Sequence, residues 1–240
     1  MLELIIEIAG SYTKFFELTT FWATISSPAN WVLVGTLVML EGLLSADNAL
    51  VLAVMVKHLP PSQQRKALFY GIIGAYFFRF LAIGIGTFLI KIWWIKIIGA
   101  LYLLWIVVQH FTPHGHAQGA PNRQKKMGFW RTVLAVEIMD IAFSIDSVLA
   151  AFGVSEQVWV LYLGGIFGVM MMRGVAQVFL GLIERYPELE TTAYLLIVII
   201  GLKMMGAAFN YHISQMVFFG ILLIVFVGTF VVHHLQERRY

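Results

Sequence analysis

One polar cluster is written twice inside apolar sequence. Residues 41–48 read EGLLSADN and residues 140–147 read DIAFSIDS. A uniform shift of 99 pairs Glu41 with Asp140, Ser45 with Ser144, Asp47 with Asp146 and Asn48 with Ser147. Each copy lies in the middle of a stretch long enough to cross a bilayer. A carboxylate there costs roughly 2.5–3.5 kcal/mol on insertion scales, so a chain that keeps several uses them. Two acidic clusters in lipid-length helices point to a cation site.

The composition sets the solvent. Of 240 residues, 60% are hydrophobic and 12% charged, against about 45–50% and about 25% in ordinary soluble domains. The mean hydropathy is +0.84. The chain reads as a polytopic membrane protein in contact with the lipid bilayer, with no segment left for a soluble enzyme domain. The absence of cysteine excludes disulfides and thiolate metal sites. The net charge of +3 is scattered, and no basic run marks a nucleic-acid partner.

Seven apolar segments are expected, at about 31–56, 67–90, 93–111, 129–154, 158–183, 187–209 and 215–235, each close to the roughly 20 residues that span a bilayer. Ahead of them, Glu3, Glu7, Gly10, Lys14 and Glu17 recur at helical steps opposite Leu2, Ile5, Ile6, Ala9 and Phe16. This predicts an amphipathic helix over 2–20 on the membrane surface. Trp31, Trp93, Trp94, Trp130 and Trp159 fall at segment ends, as interfacial aromatics do. Ten Lys and Arg residues (57, 65, 66, 123, 125, 126, 131, 185, 238, 239) fall on one side and Lys14, Lys91 and Lys96 on the other. The positive-inside rule makes the first side cytoplasmic, with the N-terminus outside and the C-terminus inside.

The duplication runs past the acids. Residues 71–79 read GIIGAYFFR and residues 165–173 read GIFGVMMMR. Ile98-Gly99 matches Ile200-Gly201 more weakly. Segments one to three therefore resemble segments four to six, and because three is odd the second unit enters from the opposite face. In inverted repeats of this kind, substrate sites lie near the midplane where the units meet. The expected organisation is a segment 1–30, a first three-helix repeat 31–111, a cytoplasmic loop 112–128, a second repeat 129–209, and a seventh helix with its tail at 210–240. The fold class is all-α.

Carboxylates, an amide and hydroxyls are the donors that hard divalent cations take. Glu41, Ser45 and Asn48 share one helical face, and Asp140, Ser144 and Ser147 repeat it, whereas Asp47 and Asp146 lie roughly 120° away on an ideal helix. Either each pair of acids serves two surfaces or the helix is interrupted, and Gly42 allows interruption in the first copy alone. The intramembrane acids Glu41, Asp47, Glu137, Asp140 and Asp146 exceed the bases Arg79, Arg173 and Lys203 by two. One divalent cation cancels that excess; so does proton uptake. The arginines read as ion-pairing residues that position the acids. Lys203 reads as a counter-ion or as a tethered charge that replaces the metal in one state. Glu137 aligns with Val38 and takes a supporting role with Ser45 and Ser144. His114 and His116 read as a solvated loop, His58 and His110 as interfacial, His233 and His234 as solvated. The methionines read as packing.

The two acidic motifs, each followed by Gly-x-x-Gly-x-x-x-x-Arg, together with Gly201-Leu202-Lys203, resemble the TerC family of integral membrane proteins, its short YkoY/MeeY-type members in particular. The resemblance covers about residues 31–235. It implies seven transmembrane helices, a relation to the LysE-type transporter superfamily, residence in a bacterial inner membrane, and manganese(II) as exported substrate rather than cofactor. It places metal coordination on Glu41, Asp47, Asn48, Asp140, Asp146 and Ser147. The expectation is an alternating-access manganese exporter, an antiporter if protons return on the vacated acids. Its rivals are a carrier of another cation such as calcium, and an accessory protein beside the secretion machinery that supplies metal to exported enzymes.

Overall fold

The computed structural model describes residues 10, 12–13, 15–85, 93–112, 127–186, 188–209, 211 and 213–237. Most of the expected surface helix over 2–20, and the loop histidines 114 and 116, lie outside them. The described residues form helices and connecting turns. These are α1 (Leu18–Ser26), α2 (Pro28–Leu44), α3 (Ala46–Lys57), α4 (Pro61–Gly84), α5 (Trp93–Phe111), α6 (Phe129–Phe152), α7 (Val158–Arg185), α8 (Glu188–Ala208) and α9 (Gln215–Glu237).

Prolines open two of them. Pro28 and Pro61 stand in the first turns of α2 and α4, where a missing N–H costs nothing. The turn between α3 and α4 is tied by Gln64, whose amide donates to the carbonyls of Lys57 and Leu59 at 3.2 and 3.0 Å. These are carbonyls that a helix end leaves without partners. Between α1 and α2 the chain turns by 85°. There Trp31 Nε1 donates to the Ile25 carbonyl at 2.9 Å and Asn30 Nδ2 to that of Thr24 at 3.2 Å.

Among the described residues four helices, α4, α5, α7 and α8, are long and apolar enough to cross a membrane, and the bent pair α1–α2 makes five if it counts as one span. Their outward faces carry large apolar side chains, among them Phe69, Ile73 and Phe77 on α4 and Leu101, Trp105 and Val108 on α5. Such faces suit lipid and not water. The protein is a polytopic, helical membrane protein.

The first expected span, 31–56, is two helices. The chain breaks at Ser45 (φ −112°, ψ 9°), while α6 runs unbroken through the second copy of the cluster. Gly42 is not the hinge. It makes room for Met171, whose Cε lies 1.7 Å from where a Cβ would stand. The expected start of the second span at 67 is also late, because α4 begins at Pro61. Near the N-terminus, Phe15 stacks on Trp159 at 4.2 Å and packs edge-on to Phe80 and Tyr162. Part of the expected surface segment is thus docked on α4 and α7.

Packing is reciprocal. α2 and α3 lie on α7, α4 lies on α6 and α7, and α5 lies on α8, with α9 outside α8. One apolar core runs from α3 (Ala49–Val56) through Leu68, Val107 and Val136 to Leu180, Ile183 and Leu189. It includes Leu59 and Leu68 beside the α3–α4 turn and Val133 near the start of α6.

Candidate functional site

The break at Ser45 gives Asp47 its setting. The residue sits in the first turn of α3, where the helix dipole favours a carboxylate, and its Oδ1 accepts the Asn48 N–H at 3.2 Å. Asp47 is buried (4% exposed). Its Oδ2 accepts from Lys203 Nζ of α8 at 3.0 Å. Asp146 of α6 is open, with its side chain 59% exposed, and pairs with Lys96 of α5. Both aspartates line one chamber of about 270 Å³ with Ser45, Asn48, Ser147 and Lys203, among other residues. On the same measure a single water needs roughly 10–15 Å³, so the chamber has room for an ion with part of its hydration shell. Its mouth is bordered by Tyr211 and Ile213, between α8 and α9.

Behind this wall lies a buried ion pair. Arg79 of α4 donates from Nη1 to Glu41 Oε2 and from Nη2 to both oxygens, each at 3.1 Å. Ser45 Oγ donates to Glu41 Oε1 at 3.1 Å, and Arg79 Nη2 donates to Ser147 Oγ at 3.0 Å. Ser147 in turn donates to the Ser144 carbonyl at 3.2 Å. The pair therefore fixes both hydroxyls that face the chamber. A second pair stands apart: Arg173 Nη2 of α7 donates to Asp140 Oδ2 at 3.0 Å and to the Gly71 carbonyl at 3.3 Å, with Glu137 Oε1 at 3.8 Å.

The glycines of the repeated motif seat these charges crosswise. A Cβ on Gly165 would meet Arg79 Cδ at 2.1 Å, and one on Gly168 would meet Glu41 Cγ at 2.5 Å. On α4, Cβ atoms at Gly71 and Gly74 would meet Glu137 at 2.7 and 1.9 Å. Each unit's Gly-x-x-Gly thus receives the other unit's acid.

Of the six residues expected to ligate metal, Asp47, Asn48, Asp146 and Ser147 share the chamber. Glu41 and Asp140 are held in arginine pairs. Among the described residues no three of His, Asp and Glu gather as a ready metal cluster. Lys96 was not expected at the site: its place beside interfacial tryptophans makes it read as a flanking charge. The signal was there, since it stands between Ile95 and Ile97 inside an apolar run. With Lys96 drawn in, the expected excess of two negative charges falls to one. His58, at the end of α3, lies within 3.0 Å of Thr132 Oγ1 and 3.3 Å of the Met127 carbonyl.

Comparison with known proteins supplies a family. The model of the integral membrane protein TerC family matches residues 26–239. The chain is 52% identical over 239 residues to the uncharacterised membrane protein YceF of Bacillus subtilis, covering 97% of this chain and 93% of that protein. It is 41% identical over 192 residues to YkoY of the same organism, covering 72% of this chain and 59% of that protein. It is 25% identical over 211 residues to the inner membrane protein YgdQ of Escherichia coli, covering 81% and 88%. No solved structure shows a significant match.

Proposed function

From the premise that the chain belongs to the TerC family of integral membrane proteins, we propose that it exports manganese(II) by alternating access. One observation carries this reading: Asp47 and Asp146, one from each copy of the duplicated cluster, line a single chamber. Two carboxylates, the Asn48 amide oxygen and the hydroxyls of Ser45 and Ser147 are hard donors of the kind that manganese takes. The end of α2 adds more, because the last carbonyls of a helix lack intrahelical donors and Leu44 borders the chamber. Glu41 and Asp140 serve from behind, through their arginines.

The proposed architecture is seven spans in two inverted three-helix units, α2 to α5 and α6 to α8, with α2 and α3 as one broken span. The crosswise packing and the exchange of acids between glycine motifs support it. By the positive-inside assignment the α8–α9 connection is external, so the chamber faces outwards and the apolar core closes the cytoplasmic half. The resident membrane is a bacterial inner membrane, N-terminus outside.

The test is transport by purified full-length protein in liposomes, with manganese flux read by quenching of an enclosed dye. Flux by the unaltered protein, and its loss in both Asp47→Asn and Asp146→Asn, is the expected result. Wild-type flux in both variants would reject the site. Calcium and magnesium in the same assay set selectivity.

A further inference from the structure

We propose that Lys96 and Lys203 are tethered counter-cations of the chamber: they hold Asp146 and Asp47 when no divalent ion does, and ion and lysines exclude one another. The inference rests on the cation-carrier reading above and adds the groups that tune how firmly the site keeps its ion.

The pairing crosses between the units. Lys203 reaches from α8 to Asp47 on α3, and Lys96 from α5 to Asp146 on α6. In each case a lysine on the third helix of one unit takes the chamber aspartate of the other. Two ammonium groups carry the charge of one divalent ion. Two aspartates are neutralised by either, and a chamber holding both would carry two uncompensated positive charges. Uncompensated charge in a low-dielectric interior is costly, so occupancy by one expels the other.

The side chains suit exchange. The two arginines are 4% and 1% exposed, and each ends in a rigid planar guanidinium. A lysine is a point charge on a flexible stem, free to swing. Lys203 also has a second seat: its Nζ lies 3.7 Å from the centroid of the buried Phe218 ring, an attraction that persists once Asp47 turns to the ion. Lys96, in the first turn of α5, is near enough to the helix end to extend its amine to the interface. A tethered competitor lowers the apparent affinity by the fraction of time that the carboxylates are free of it. That helps an exporter to release its cargo.

The experiment is manganese binding to the purified full-length protein by titration calorimetry, comparing K96M, K203M and K203R with the unaltered chain and with D47N. Each methionine variant should bind manganese about tenfold tighter or more, whereas K203R, which keeps the charge, should bind no tighter than the unaltered protein. Unchanged or weaker binding in folded K96M and K203M, with normal binding by the unaltered chain, overturns the proposal and leaves the carrier reading intact. No binding by any of these proteins overturns both. If the methionine variants fail to fold, amine acylation of the unaltered protein, read by peptide mass spectrometry, decides. Manganese should raise modification of Lys96 and Lys203, and labelling indifferent to manganese rejects exclusion.

Discussion

At the scale of single residues, the polar interior is a set of charge pairs, with Glu137 a second acid beside Arg173, and their environments separate their roles. Glu41 with Arg79, and Asp140 with Arg173, are buried, the first pair joined by three hydrogen bonds, so their worth is positional. Removing one partner of such a pair strands the other, which costs about 3–5 kcal/mol, while replacing both by apolar groups is often neutral. Arg79→Met should therefore lower stability by about that amount and release Ser45 and Ser147 from their anchors. The double variant Glu41→Leu with Arg79→Met should recover most of the loss. Thermal denaturation of the purified protein in detergent measures both, and a double variant no more stable than Arg79→Met would show that the pair does more than compensate charge. Asp47 and Asp146 differ in having lysine partners and a shared cavity, which is why the transport phenotype is assigned to them.

At the scale of helices, close approach is set by α7. A Cβ at Gly164 would meet Leu37 Cβ at 2.6 Å, and one at Gly168 would meet Glu41 Cβ at 2.8 Å. These contacts are near the backbone of α2, so no side-chain rotation relieves them and the helices must part. Gly168→Ala should cost about 1–3 kcal/mol as overpacking does. Gly174→Ala, on the same helix with nothing within 4 Å, should leave stability unchanged or raise it by up to about 1 kcal/mol through helix propensity. Equal melting temperatures for the two variants would count against the tight α2–α7 seam. The helix extents were largely legible, since five expected segments end within a few residues of α5 to α9; lipid length and interfacial tryptophan leave few alternatives. The break at Ser45 was harder to place. Serine is no strong helix breaker, whereas Gly42 is the local signal, and the need to fit Met171 claims that glycine instead. Lys96 was hidden for a related reason: a charge near a helix end reads as interfacial until a partner on another helix is seen.

At the scale of the whole molecule, the two ends of the bundle differ in their access to the chamber. The apolar core joining α3, α6, α7 and α8 packs along α3 between the α3–α4 turn and Asp47, while Tyr211 and Ile213 border the chamber. In the proposed topology the chamber end faces the exterior. The chain contains no cysteine, so single cysteines report without background. In intact cells, Ile213→Cys should react with a membrane-impermeant maleimide, and Ser62→Cys, exposed in the first turn of α4, should react only after permeabilisation. Leu44→Cys, on the chamber wall, should react with a small hydrophilic thiol reagent added outside, and manganese should slow it severalfold by filling the space. The reverse pattern, with Ser62→Cys labelled from outside and Ile213→Cys protected, would invert the topology and turn the same chamber towards the cytoplasm.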